Sequence, residues 1–170
     1  MSGLFPPADG DVIYVSRYDP DDLLSSCSAH TILLDEQVWP TAEHYFLGMQ
    51  FTSPDVQARI RQADSAEIAA RIATPSLLDR LSGQFRRARR SDWEKLRTIY
   101  MTRALYTKCR SHSAVAARLM DTGTRRIVEN SLYDYYWGCG RDHRGENVYG
   151  KILMDIREKL TELEKTPPTH

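Results

Sequence analysis

Short apolar runs mark the first forty residues, and helical periodicity takes over after them. Val12-Ile13-Tyr14-Val15 and Thr31-Ile32-Leu33-Leu34 are β-branched or apolar stretches bounded by Asp, Ser and Pro. They predict two brief strands that pair locally. From Trp39 the pattern turns helical. Thr41 stands where it can cap a helix, with Glu43 in the first turn beside the positive end of the helix dipole. Ser53-Pro54-Asp55 opens a second helix with the stripe Val56, Ile60, Ala63, and Asp64-Ser65 starts a third. Thr74-Pro75 and Ser82-Gly83 then break the pattern ahead of the basic run Arg86 to Arg90.

Ser91-Asp92-Trp93-Glu94 reads as a capping box, Ser91 bonding a first-turn amide while Glu94 reaches back. It predicts a long helix to about residue 108. Another helix covers about 113–121 and stops at Gly123, and a last one covers about 149–164 with the single apolar face Tyr149, Ile152, Ile156, Leu160, Leu163. Residues 126–147 separate these two helices and read as irregular, crowded with aromatics, carboxylates, arginines and three glycines. Irregular segments held on rigid helices are where binding and catalytic groups gather. The pattern predicts a mainly α fold, one domain over residues 1–164, a few short N-terminal strands and a disordered tail at 165–170.

Composition narrows the functional classes. Lys+Arg and Asp+Glu both number 23, so no global field draws the chain to nucleic acid or an anionic membrane. Three scattered cysteines without a C-x-x-C pair argue against a disulfide framework and a zinc site. No apolar run approaches the roughly 18 residues of a membrane span, and residues 1–10 lack the layout of a signal peptide. These features predict a cytoplasmic protein with no membrane partner and no metal site.

Three blocks carry a resemblance. Trp39-Pro40-Thr41-Ala42-Glu43-His44-Tyr45-Phe46 is followed by Asp92-Trp93-Glu94 with Met101, Ala104 and Leu105 downstream. The third block holds Ile127-Val128-Glu129-Asn130-Ser131, Asp134, Trp137-Gly138, Gly140, Gly145, Asn147, Gly150, Leu153-Met154 and Ile156-Arg157. In this order they resemble the NADAR, or YbiA-like, family over roughly residues 13–160. The resemblance implies a mainly helical domain that hydrolyses N-glycosidic bonds between ribose and a nitrogenous base, a reaction for which no cofactor is expected. Two substrate classes go with it: early riboflavin-pathway intermediates, and ADP-ribose attached to guanine. The partner is then a small nucleotide-like substrate, and nucleic acid enters only as an ADP-ribosylated one.

Breaking such a bond builds positive charge on the ribose, so the site needs a carboxylate near the anomeric carbon and a group to activate water. Glu43, matching the family glutamate, is the first candidate, against its reading as a surface acid on a helix dipole. Asp134 is the second, against its reading as a turn cap. Trp93 and Trp137 offer flat faces for a base, with core packing the alternative for each. Arg90 and the backbone of Gly138 beside Asn147 are candidate substrate ligands, Glu129 a weaker one; Arg126, Arg141 and Arg144 are further phosphate contacts. His44 points away from Glu43 and reads as a packed residue.

The chain departs from the family pattern in two places. The family's Gln-Ala-x-Lys-Phe appears as Leu47-Gly48-Met49-Gln50-Phe51, and Ser-Asn-Phe appears as Ser25-Ser26-Cys27. Position 50, seven residues past Glu43, lies two turns along the same helix face, where the family lysine could reach the same pocket and Gln50 supplies neither a cation nor an amine. Three readings remain: a glycosidase using Glu43 and Asp134, a non-catalytic binder of ADP-ribose or a related nucleotide, and a hydrolase of ADP-ribosylated guanine in nucleic acid.

Overall fold

A computed structural model describes residues 11–74, 81 and 89–165. The basic residues 86–88, the breaks expected at Pro75 and Ser82-Gly83, and tail residues 166–170 lie outside the described residues. Contacts divide the chain into two units, Ser26–His112 and a second made of the residues up to Ser25 with those from Ser113 onward.

In the unit Ser26–His112, β2 (Ile32–Leu34) and β3 (Gln37–Trp39) form an antiparallel hairpin, with Ile32 opposite Trp39. Asp35 and Glu36 make its two-residue turn with φ of 52° and 60°, the positive values that such a tight hairpin turn needs. Helix α1 (Ala42–Gly48) follows and is buried at every residue. Thr41 caps it as expected, its hydroxyl accepting from the His44 amide at 3.2 Å. Around α1 pack α2 (Pro54–Arg61), α3 (Ala66–Ala73) and α4 (Trp93–Ser111). Ser65 caps α3 through the Ile68 amide, while Ser53 occupies the N-cap of α2 without a side-chain bond. Gly48 ends α1 under the Trp39 ring, which lies 2.7 Å from where a β-carbon would stand.

The capping box at Ser91 is not formed. Asp92 is the N-cap and makes no side-chain bond to the helix. Its carboxylate is taken by the Arg90 guanidinium at 3.1 and 3.4 Å, and Glu94 pairs forward with Arg97 at 3.1 Å instead of reaching back.

The other unit corrects the expected pairing of the first strand. β1 (Val12–Val15) pairs in parallel with β4 (Arg126–Glu129), Ile13 beside Ile127 and Val15 beside Glu129. Its partner is thus more than a hundred residues away, inside the segment read as irregular. Four residues with charged ends give little period-2 signal, yet Ile127 and Val128 are buried. Strand character is therefore not confined to the N-terminus, although the fold is mainly α, as expected. Helix α5 (Ser113–Met120) ends before Gly123, whose φ of +59° fits the expected left-handed stop, and α6 (Val148–Lys165) packs on β4. Lys165, expected in the tail, closes that helix.

Candidate functional site

The candidate residues fall in both units. In Ser26–His112, Glu43 is 4% exposed on the buried α1. Its Oε2 accepts from the Ser26 hydroxyl at 2.6 Å, and its amide donates to the Ser26 carbonyl at 2.8 Å. A buried carboxylate is costly unless bonded, so the Ser26 clamp both shelters and aims it. The surface reading of Glu43 is thereby excluded. His44, next along, is packed as expected. Its Nε2 donates to the Ala63 carbonyl at 3.1 Å, so its Nδ1 accepts from Thr41, 2.8 Å away. Burial holds its pKa below the ordinary value of 6.5, against the opposing pulls of the Ala63 carbonyl and the Glu43 charge.

Trp93 is buried against Phe46 at 5.1 Å and stacks on Tyr100 at 5.8 Å with 19° between planes. Arg90 lies over the Tyr100 ring at 5.6 Å and is bound to Asp92, whose carboxylate raises its pKa further. Gln50 corrects the expected geometry. Helix α1 ends at Gly48, so position 50 does not continue the Glu43 helix; the Gln50 carbonyl instead accepts from the Arg90 amide at 2.8 Å, beside the bridge between Phe51 and Arg89.

Two further residues of this unit, Lys108 and Ser28, were not singled out from the sequence, and Ser26 stood out only as a departure from the family pattern. Lys108 is 1% exposed and its Nζ donates to the Ser28 hydroxyl. Ser26, Ser28 and Lys108 are all buried, and residues 26–28 thus carry two hydroxyls, one on Glu43 and one on Lys108. A signal for Lys108 did exist. Met101, Ala104, Leu105 and Lys108 follow the i, i+3, i+4, i+7 spacing of one face, and a lysine on a buried stripe is rare without a partner.

In the other unit, Glu129 is fully buried at the end of β4. It accepts from the Ser131 hydroxyl at 2.8 Å, the Ser131 amide at 3.1 Å and the Arg17 amide at 3.3 Å. Gly138 is required beside it, because a β-carbon there would stand 2.3 Å from its Oε2. Asn147, at φ +52°, accepts from the Glu129 amide at 2.8 Å and donates to the Ile127 carbonyl at 2.9 Å, pinning the loop to β4. Asp134 Oδ1 accepts from the amides of Tyr136 and Trp137 at 3.0 and 2.8 Å, the geometry of a turn cap. Trp137 is 6% exposed, with the Arg17 guanidinium 5.1 Å over its ring and Tyr136 edge-on at 5.0 Å. Arg17 also lies 4.8 Å over Tyr18 and was not singled out from the sequence.

The family model described as the NADAR domain matches residues 6–161, running across both units. The chain belongs to the NADAR family. N-glycosidase YbiA of Escherichia coli K12 is 32% identical over 89% of each chain. An N-glycosidase of Nostoc punctiforme is also 32% identical, over 89% of this chain and 94% of its own. The riboflavin biosynthesis protein PYRR of Zea mays, named as chloroplastic, is 32% identical over 91% of this chain and 26% of its own. The NMR structure of E. coli YbiA superposes with a TM-score of 0.77 at 30% identity, covering 94% of this chain and 90% of that one. Among the described residues no helix is long and apolar enough to cross a membrane, and no three His, Cys, Asp or Glu side chains are grouped to hold a metal ion.

Proposed function

We infer that the protein is an N-glycosidase that hydrolyses the bond between a ribose phosphate and a nitrogenous base, with early riboflavin-pathway intermediates as its substrates. The full-length likeness to two N-glycosidases supports the reaction, and the likeness to a riboflavin biosynthesis protein supports the substrate class. The observation that carries the reading at residue level is the buried Glu43 carboxylate held by Ser26.

As the C–N bond breaks, its electron pair leaves with the base nitrogen and positive charge grows on the ribose ring. A preorganised carboxylate stabilises that charge and takes a proton from the attacking water. The water oxygen bonds to the anomeric carbon, and the base departs with a proton. Glu43 is assigned this role. Asp134 is proposed as the second carboxylate, acting through the loop whose amides its Oδ1 accepts. Trp93 and Arg90 in the unit Ser26–His112, and Trp137, Gly138 and Asn147 in the other, are each proposed as substrate contacts, the tryptophans through their flat faces.

Turnover measured by mass spectrometry tests this, using ribosylaminopyrimidine phosphates and an ADP-ribosylated guanine oligonucleotide. Release of free base from the pyrimidine compounds, lost in Glu43→Gln, is expected. Release from the oligonucleotide alone would replace the substrate class. No release from either, with tight binding by calorimetry, would replace the glycosidase by a nucleotide binder.

A further inference from the structure

Two polar side chains of the unit Ser26–His112 meet at the Ser28 hydroxyl, and a third packs against them. The buried Lys108 Nζ donates to Ser28 Oγ, and the His30 Nδ1 lies 3.1 Å from the same oxygen. The His112 ring meets the His30 ring edge-on with centroids 5.0 Å apart, and its Nε2 donates to the Thr31 carbonyl at 2.6 Å. Ser28 and Lys108 are buried, whereas both imidazoles are partly exposed.

Lys108 and His30 therefore share one hydroxyl, with His112 against the His30 ring. A lysine with two protonatable imidazoles beside it forms a cluster that an anion can neutralise and bond at once. We propose that Ser28, His30, Lys108 and His112 form an anion subsite for the phosphate monoester of the substrate, with Ser28 and Lys108 as its buried floor and the two imidazoles as its rim. This rests on the glycosidase reading for its ligand, and it gives the substrate phosphate a site at residues that the family blocks do not contain.

The chemistry suits phosphate. Lys108 supplies a point charge, and Ser28 and the imidazoles supply donors. The groups facing His30 are Lys108 and His112, both from the α4 end of the unit, and its pKa is lowered by burial, by the Lys108 charge and by His112. All three influences act against the imidazolium. A bound anion opposes them through its own charge and favours the protonated ring, so binding strengthens as pH falls. The glycine loop at Gly138 is a poorer phosphate cradle, because the Glu129 carboxylate fills the space where its side chain would begin.

The test is an NMR titration of the histidine ring protons of the full chain with ribose 5-phosphate, inorganic phosphate and ribose, at pH 6 and pH 8. Saturable shifts at His30 and His112, with both phosphates and not with ribose, and tighter at pH 6, are expected. Lys108→Met and His30→Gln each weaken binding tenfold or more. Tenfold preference for ribose 5-phosphate assigns the site to the substrate, and equal affinity assigns it to free phosphate; both sustain an anion site. Equal shifts at the exposed His143, no response at His30, or an affinity unchanged in His30→Gln overturns it. Should Lys108→Met fail to fold, His30→Gln decides alone. Base release by a protein whose His30 ignores phosphate would keep the enzyme and discard the subsite; phosphate binding without base release would do the reverse.

Discussion

Glu43 is fixed by its neighbours: α1 buries it, Ser26 accepts its amide and donates to its carboxylate, and Thr41 starts the helix that carries it. Replacing it by Gln keeps size and hydrogen bonding but removes the charge, so turnover should fall by about 100-fold or more, with an unchanged thermal midpoint as the control. Gly48 fixes a different property of the same helix. Ala at 48 would push into the Trp39 ring, and urea unfolding should report a loss of about 1–3 kcal/mol. His44 supplies a pH signature. Its folded pKa lies below the unfolded value of 6.5, so the unfolded chain takes up the proton first. Its contribution is complete above that value and is lost as pH falls through the folded pKa. Urea midpoints should therefore drop between pH 7.5 and pH 5, less steeply in His44→Gln; equal slopes would remove His44 from the account.

At the scale of elements, β4 and the loop that follows it act together. Asn147 bonds the Glu129 amide and the Ile127 carbonyl, so Asn147→Ala leaves two buried backbone groups unpaired and should cost about 2–4 kcal/mol. Asp134 separates a structural from a chemical role. Asn at 134 keeps an acceptor for the Tyr136 and Trp137 amides, whereas Ala does not. Thermal midpoints near wild type in Asp134→Asn with lost turnover would mark a charge at work, and full activity in that variant would leave Asp134 as a cap. The helices were legible because their stripes and caps are local: Thr41, Ser65 and Gly123 lie where sequence reasoning puts them. The parallel β1–β4 pair was not, because a four-residue strand takes its identity from a partner over a hundred residues away. The Ser91 cap failed for a related reason, since Arg90 and Arg97 compete for the acids beside it.

For the whole chain, the family match runs over residues 6–161, and 23 basic residues balance 23 acidic ones. With no net charge to concentrate an anionic substrate, recognition must come from local groups. Family blocks in the sequence pointed to Glu43, and Lys108 was legible only as the polar member of the Met101, Ala104, Leu105 stripe, whereas Ser28 and Arg17 emerged only from burial and contact, because a lone serine or arginine has no spacing of its own. The central claim is that Glu43 is the catalytic carboxylate of an N-glycosidase. The most direct measurement is the mass-spectrometric turnover of ribosylaminopyrimidine phosphates by the wild-type protein and Glu43→Gln, both shown to be folded. The account predicts free base from the wild type and at least about a hundredfold less from the variant. Equal base release by the two proteins would contradict it.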